Sequence, residues 1–186
     1  KYVMHRLIDV WALRAIYDRH TRQHHVYFTD GVMTVDSTRE LRIIFFPWRA
    51  LFTFIGMGVP FGLALAWLIN PNAGYILLVT MVGQYLIYET FHYCCHVHEN
   101  WFVRNLPFVN TIRRHHTAHH NKGIMMDVNM NLTFPIADWV MGTSDLKRGL
   151  LGHLFNGYDE KYIKPELKEA IAKHTLKEHS LTGQPA

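Results

Sequence analysis

Cysteine is almost absent: the 186 residues hold only Cys94 and Cys95. Sequence neighbours rarely pair with each other, so there is no disulfide framework, and the protein suits a reducing face. Without thiolate clusters there is also no iron–sulfur site and no structural zinc cage. Charge is missing from one long region, since no Asp, Glu, Lys, Arg or His occurs from Ala50 to Tyr88. The net charge of +4 is small and scattered, with no basic helix and no interleaving of basic and aromatic residues, which argues against nucleic acid. No flavin, NAD(P) or haem-binding signature, internal repeat or low-complexity segment is present. A signal peptide is lacking as well, and the first residue is Lys1 rather than methionine, so a fragment with something missing upstream is expected.

What is present is segregated. The charge-free run predicts two membrane-crossing helices, about 43–69 and 73–95, joined by a tight turn at Asn70-Pro71-Asn72. Twenty apolar residues of helix cover roughly 30 Å, one hydrocarbon core. Gly and Pro60 within the first arm are tolerated in such a setting. A short turn brings the start of one arm and the end of the other to the same side. Arg14, Arg19, Arg22, Arg39, Arg42, Arg49, Arg104, Arg113 and Arg114 all fall on that side, which predicts that it is cytoplasmic. The expected fold class is therefore an all-α integral membrane protein: a transmembrane helical hairpin under a cytoplasmic helical cap. Residues 1–25 are expected to be helical, Asp36-Ser37-Thr38 offers a helix cap, and Lys164-Pro165 opens a charged helix in the tail.

Histidine is in excess, with 14 in the protein. Most fall into boxes: His20, His24 and His25 as H-x-x-x-H-H, His92 and His96 as H-x-x-x-H, and His116, His119 and His120 as H-x-x-H-H. Positions three or four apart share a helix face, the spacing of two imidazoles on one metal. Adjacent pairs diverge by roughly 100°, so a single ion cannot readily use both, whereas two ions side by side can. Burying so many imidazoles without a cation would leave donors and acceptors opposed. Neutral imidazole suits zinc, iron, nickel and copper. A bis-imidazole haem would need histidines facing each other within the spans, and those are missing. His115 is ambiguous, because 115/119 and 116/120 are both i, i+4 pairs. His98 falls on the wrong face to share a metal with His96. Histidines 153, 174 and 179 read as solvent or packing residues. Glu89, a turn before His92, and Asp138 and Asn129 in the closing segment are candidate acceptors for the N–H of a ligating ring.

The ordered boxes, with RHTRQHHVYF leading into RELRIIFFPW and the ending NMNLTFPIADWVMGT, resemble the fatty acid hydroxylase/sterol desaturase superfamily of membrane di-iron enzymes, nearest its fatty acid 2-hydroxylase branch. The likeness runs from about Tyr2 to Thr143. It implies a hydroxylase-like membrane domain over 1–143 and a cytoplasmic tail over 144–186. It also implies metal ligands at His5, His20, His24, His25, His92, His96, His116, His119 and His120. Relatives carry a further histidine ahead of the one matched by His5, at a position preceding Lys1. The family chemistry would be hydroxylation of a C–H bond in a fatty acyl group, using O2, two iron ions and an external electron donor of cytochrome b5 or ferredoxin type. Zinc could occupy the same imidazoles in purified material. Alternatives are oxidation of a sterol or carotenoid, desaturation, or a membrane metal-binding protein without enzymatic activity.

Overall fold

The computed structural model describes Arg14, residues 17–155 and residues 159–182, with side chains in the last helix described as far as His174. His5 and most of the predicted first helix lie outside the described residues. Among the described residues the protein is mostly helical; it has no strands, only isolated bridges between Thr29 and Val32 and between Leu146 and Ile163. A π-helix, Asp18–His24, runs into the short α1, His25–Tyr27, and α2 covers Leu41–Ile44. Two long helices follow, α3 over Trp48–Leu68 and α4 over Pro71–His96. Then come α5 (Trp101–Asn105), α6 (Val109–His120), α7 (Ile136–Val140), α8 (Leu150–Phe155) and α9 (Pro165–Thr182).

The stretch Leu41–Leu68 is long and apolar enough to cross a membrane. No other described helix meets both conditions, so the second predicted span is not reproduced as one: α4 is long, but Gln84, Glu89, His92 and His96 dilute its apolar character. The turn between the arms is also shorter than the sequence suggested. Asn70 caps α4, its side-chain oxygen accepting the Ala73 N–H at 3.1 Å, and Pro71 is already helical, where its missing N–H costs nothing. Asp36-Ser37-Thr38 does not cap a helix either. Glu40 folds back to accept the N–H groups of Asp36 and Ser37, closing a turn before α2.

The hairpin is joined by small residues. Gly58, Gly62 and Ala66 recur every four positions along α3, so one stripe lets the α4 backbone approach closely. Opposite it, a Cβ on Gly74 would run into the Gly62 carbonyl and lie 3.0 Å from the Ala66 methyl. Gly74→Val is expected to lower stability by about 1–3 kcal/mol, read as an earlier thermal transition in detergent. The outward faces remain apolar and exposed, with Phe52, Phe61, Trp67, Ile76 and Val79 each more than half accessible.

The cap packs on the far end of the hairpin from the Asn70 turn. Phe28, Ile44, Cys94, Val103 and Val109 form its main core, and Cys95, Ile112 and Leu132 a second one. The segment after 143 folds back on this cap, the Thr111 hydroxyl donating to the Leu154 carbonyl at 2.9 Å and the Asp145 N–H to the Asn129 side-chain oxygen at 3.0 Å.

Candidate metal centre

Four rings meet in one place and three in another. The coordinating nitrogens of His24, His96, His116 and His120 lie within 4.8 Å of one another, as do those of His20, His25 and His119, and all seven residues are buried. His92 adjoins the first group, its Nε2 3.1 Å from that of His24. The groups are neighbours: ring centroids of His25 and His120 are 4.3 Å apart, and those of His116 and His119 6.1 Å.

Local backbone geometry decides which histidine goes where. In α6, His116 and His120 point to one group and His119 to the other, and the rings of His119 and His120 are almost perpendicular at 87°. The first box obeys a different period. Its helix is π, with the His25 N–H bonded to the His20 carbonyl, five residues back. The wide turn swings His25 over His20, with Nε2 atoms 3.2 Å apart, and sends His24 into the other group. An i, i+4 reading of His20 with His24 is therefore replaced by an i, i+5 pairing.

Backbone carbonyls hold the rings. His96 Nδ1 is 2.8 Å from the Met33 carbonyl and His120 Nδ1 2.8 Å from that of Phe28. His24 and His119 use the carbonyls of Ile43 and Val128, each at 3.3 Å. A carbonyl only accepts, so these Nδ1 atoms carry the protons and the Nε2 atoms present lone pairs. His116 Nε2 lies 2.8 Å from that of His96 and 3.1 Å from that of His120. One proton on His116 can satisfy one of these neighbours, not both. A shared cation satisfies all three. Nitrogens each about 2.0–2.1 Å from one ion lie roughly 2.9–3.4 Å apart at bond angles near 90–110°, which brackets most of the spacings found here. The donor set fits a metal that takes neutral nitrogen ligands. Phe28, fully buried with its ring 4.0 Å from that of His96, helps to keep water out.

The other candidate residues lie outside both groups. His115, one residue before His116, turns away and donates from Nε2 to Asp138 at 3.0 Å. Asp138 also accepts from the N–H groups of Met130 and Asn131 and from the Thr143 hydroxyl. Its imidazole partner is thus His115 rather than a ring of either group. Asn129, at a positive φ of 56°, donates to the His115 carbonyl and accepts from the Asp145 N–H. Glu89 accepts the Phe46 N–H at 3.4 Å, tying the loop before α3 to α4. His98 is exposed beside Asp36, and His153 is buried against the Ser144 hydroxyl at 2.6 Å. Sequence reading missed the buried ion pair in which both terminal nitrogens of the Arg114 guanidinium, Nη1 and Nη2, meet the Asp145 carboxylate. Those positions are 31 residues apart and follow no spacing rule. It also missed the carbonyl acceptors, which have no side-chain signature.

Burial alone would push the Asp138 carboxyl up. The His115 hydrogen bond and charge, with the donors from Thr143 and Asn131, outweigh burial and hold it below the ordinary carboxylate value. Its stabilising contribution is complete above the unfolded value of about 3.9 and is lost as pH falls through the lower folded value. Asp138→Asn is therefore expected to be destabilised at pH 7, with the difference from the parent narrowing in acid, as measured by denaturation at a series of pH values. In comparisons with known proteins, no family model, no curated protein and no solved structure matches the sequence or fold.

Proposed function

We propose that this protein is a membrane di-iron oxidoreductase that uses O2 to hydroxylate a C–H bond of a lipid acyl chain. The observation that carries the reading is the convergence of seven buried imidazoles in two adjacent groups, four of them anchored through Nδ1 to backbone carbonyls. Such an arrangement suits cations, and nitrogen-only surroundings suit iron among others. Its position at the end of an apolar hairpin supports a lipid substrate. The box order supports the fatty acid hydroxylase/sterol desaturase superfamily. In this reading both long helices span the bilayer and the arginine-rich cap is cytoplasmic.

His24, His92, His96, His116 and His120 would hold one ion, and His20, His25 and His119 would contribute to the other. Bound iron would supply the activation of O2 for C–H oxidation, with electrons from an external carrier protein of cytochrome b5 or ferredoxin type. The protein does the rest by positioning. Carbonyl acceptors at Nδ1 fix the orientation of His24, His96, His119 and His120 and raise their basicity. Burial of the rings and of Phe28 excludes bulk water. Tyr88 and Phe91 on α4, beside His92 and Phe134, present apolar and aromatic surface on the hairpin side, where an acyl group would approach.

Lipid analysis of cells making the protein under O2 tests the assignment. A new hydroxylated acyl product, absent without O2, is the expected result; an unchanged lipid profile would instead favour a metal-binding protein without this activity.

A further inference from the structure

The cap carries a second apolar surface, separate from the hairpin. Residues 132–143 contain one charged residue, Asp138, and it is buried. What faces outward is Ile136, Trp139, Val140 and Met141, the last 76% exposed, and α8 adds Leu151 and Phe155. Water is a poor covering for such a continuous face. Two observations indicate what covers it. First, it joins the hairpin through touching rings: Phe91 of α4 meets Phe134, Phe134 meets Phe108, and Phe108 meets Phe155, each at 5.7 Å between centroids. Second, its edge is cationic. Lys147 is exposed and Arg148 partly so, just before α8, and the Lys164 ammonium donates to the Gly142 carbonyl at 3.0 Å. An uncharged face with a half-exposed Trp and a rim of Lys and Arg has the chemistry of the headgroup boundary.

We propose that α7, the Met141–Gly142 turn and α8 dip into the bilayer beside the hairpin as an interfacial wedge, and that the lipid headgroup–acyl boundary is their partner. This rests on the bilayer reading of the hairpin and not on the chemistry at the histidines. The wedge and the end of α4 then meet the same leaflet, and Phe91 and Phe134 line the seam between them.

Three single-cysteine labels in full-length protein distinguish the possibilities: Met141→Cys on the wedge, Phe61→Cys on the hairpin and Val26→Cys on the cap. Each carries an environment-sensitive fluorophore in phosphatidylcholine vesicles with or without brominated acyl groups; the buried native cysteines are replaced by serine if they label. The wedge predicts quenching by brominated lipid at 141 and 61, at least about twofold above that at 26, with a blue-shifted emission at 141. Quenching at 61 but not at 141, with 141 reached by an aqueous quencher, would overturn the wedge and leave the hairpin reading standing. Quenching at neither would overturn both. Emission at 141 that changes with protein-to-lipid ratio and ignores bromine would show a second copy covering the face, and would also overturn the wedge. Val140→Asp with Met141→Asp should abolish the 141-face quenching, read from a label at Leu151→Cys, while metal content stays at the parental level.

Discussion

His116→Ala is expected to abolish the proposed lipid hydroxylation and to remove the ion proposed for the first group. The His116 Nε2 is the atom that both His96 and His120 approach, at 2.8 and 3.1 Å. Its loss leaves two lone pairs without their shared neighbour and opens the centre of the group. Removing an outer hydrogen-bond partner of a metal ligand costs about 10–100-fold in affinity or activity, so loss of the ligand itself should exceed about 100-fold. Product analysis and metal counting on the same preparation check both parts. His115→Ala is the control, because that ring points to Asp138 instead. It should keep its metal and lose stability. Equal metal loss in the two variants would show that α6 had merely come apart.

Arg114→Leu should destabilise the cap by about 3–5 kcal/mol, because it strands the Asp145 carboxylate in the interior without its cation. Both residues are almost fully buried, their side chains at 6% and 1% exposure. The pair clamps α6 to the segment after Gly142, while Asn129 joins that segment to the His115 carbonyl. Replacing both members with leucine should be milder than replacing Arg114 alone, since the cost lies in the orphaned charge. Chemical denaturation of the two single variants and the double variant measures this. A double variant no better than Arg114→Leu would mean that the guanidinium acts through packing.

The sequence carried the boxes and the hairpin because both depend on local pattern. A charge-free run is visible in composition, and i, i+4 spacing places His92 with His96 and His116 with His120. Three things were out of reach for physical reasons. Grouping within the first box depends on a π turn, and the same residues on an α-helix would place His24, not His25, over His20. The choice between His115 and His116 depends on Asp138, which comes 23 residues after His115 and reaches it only through tertiary packing. The acceptors that set the protonation of His24, His96, His119 and His120 are backbone carbonyls at Ile43, Met33, Val128 and Phe28. Any residue could supply those. The apolar pattern also overstated how uniformly apolar α4 is, since its last turns trade lipid-compatible side groups for the polar ones that enter the site.

Counting metal in protein loaded with ferrous iron without oxygen, together with X-ray absorption at the iron edge, tests the proposed dinuclear centre most directly. Two ions per protein molecule are expected, each surrounded by nitrogen at about 2.0–2.1 Å, the range for imidazole on zinc, with one lost in His116→Ala. A single ion, or sulfur from Cys94 or Cys95 in its surroundings, would contradict a paired all-imidazole site.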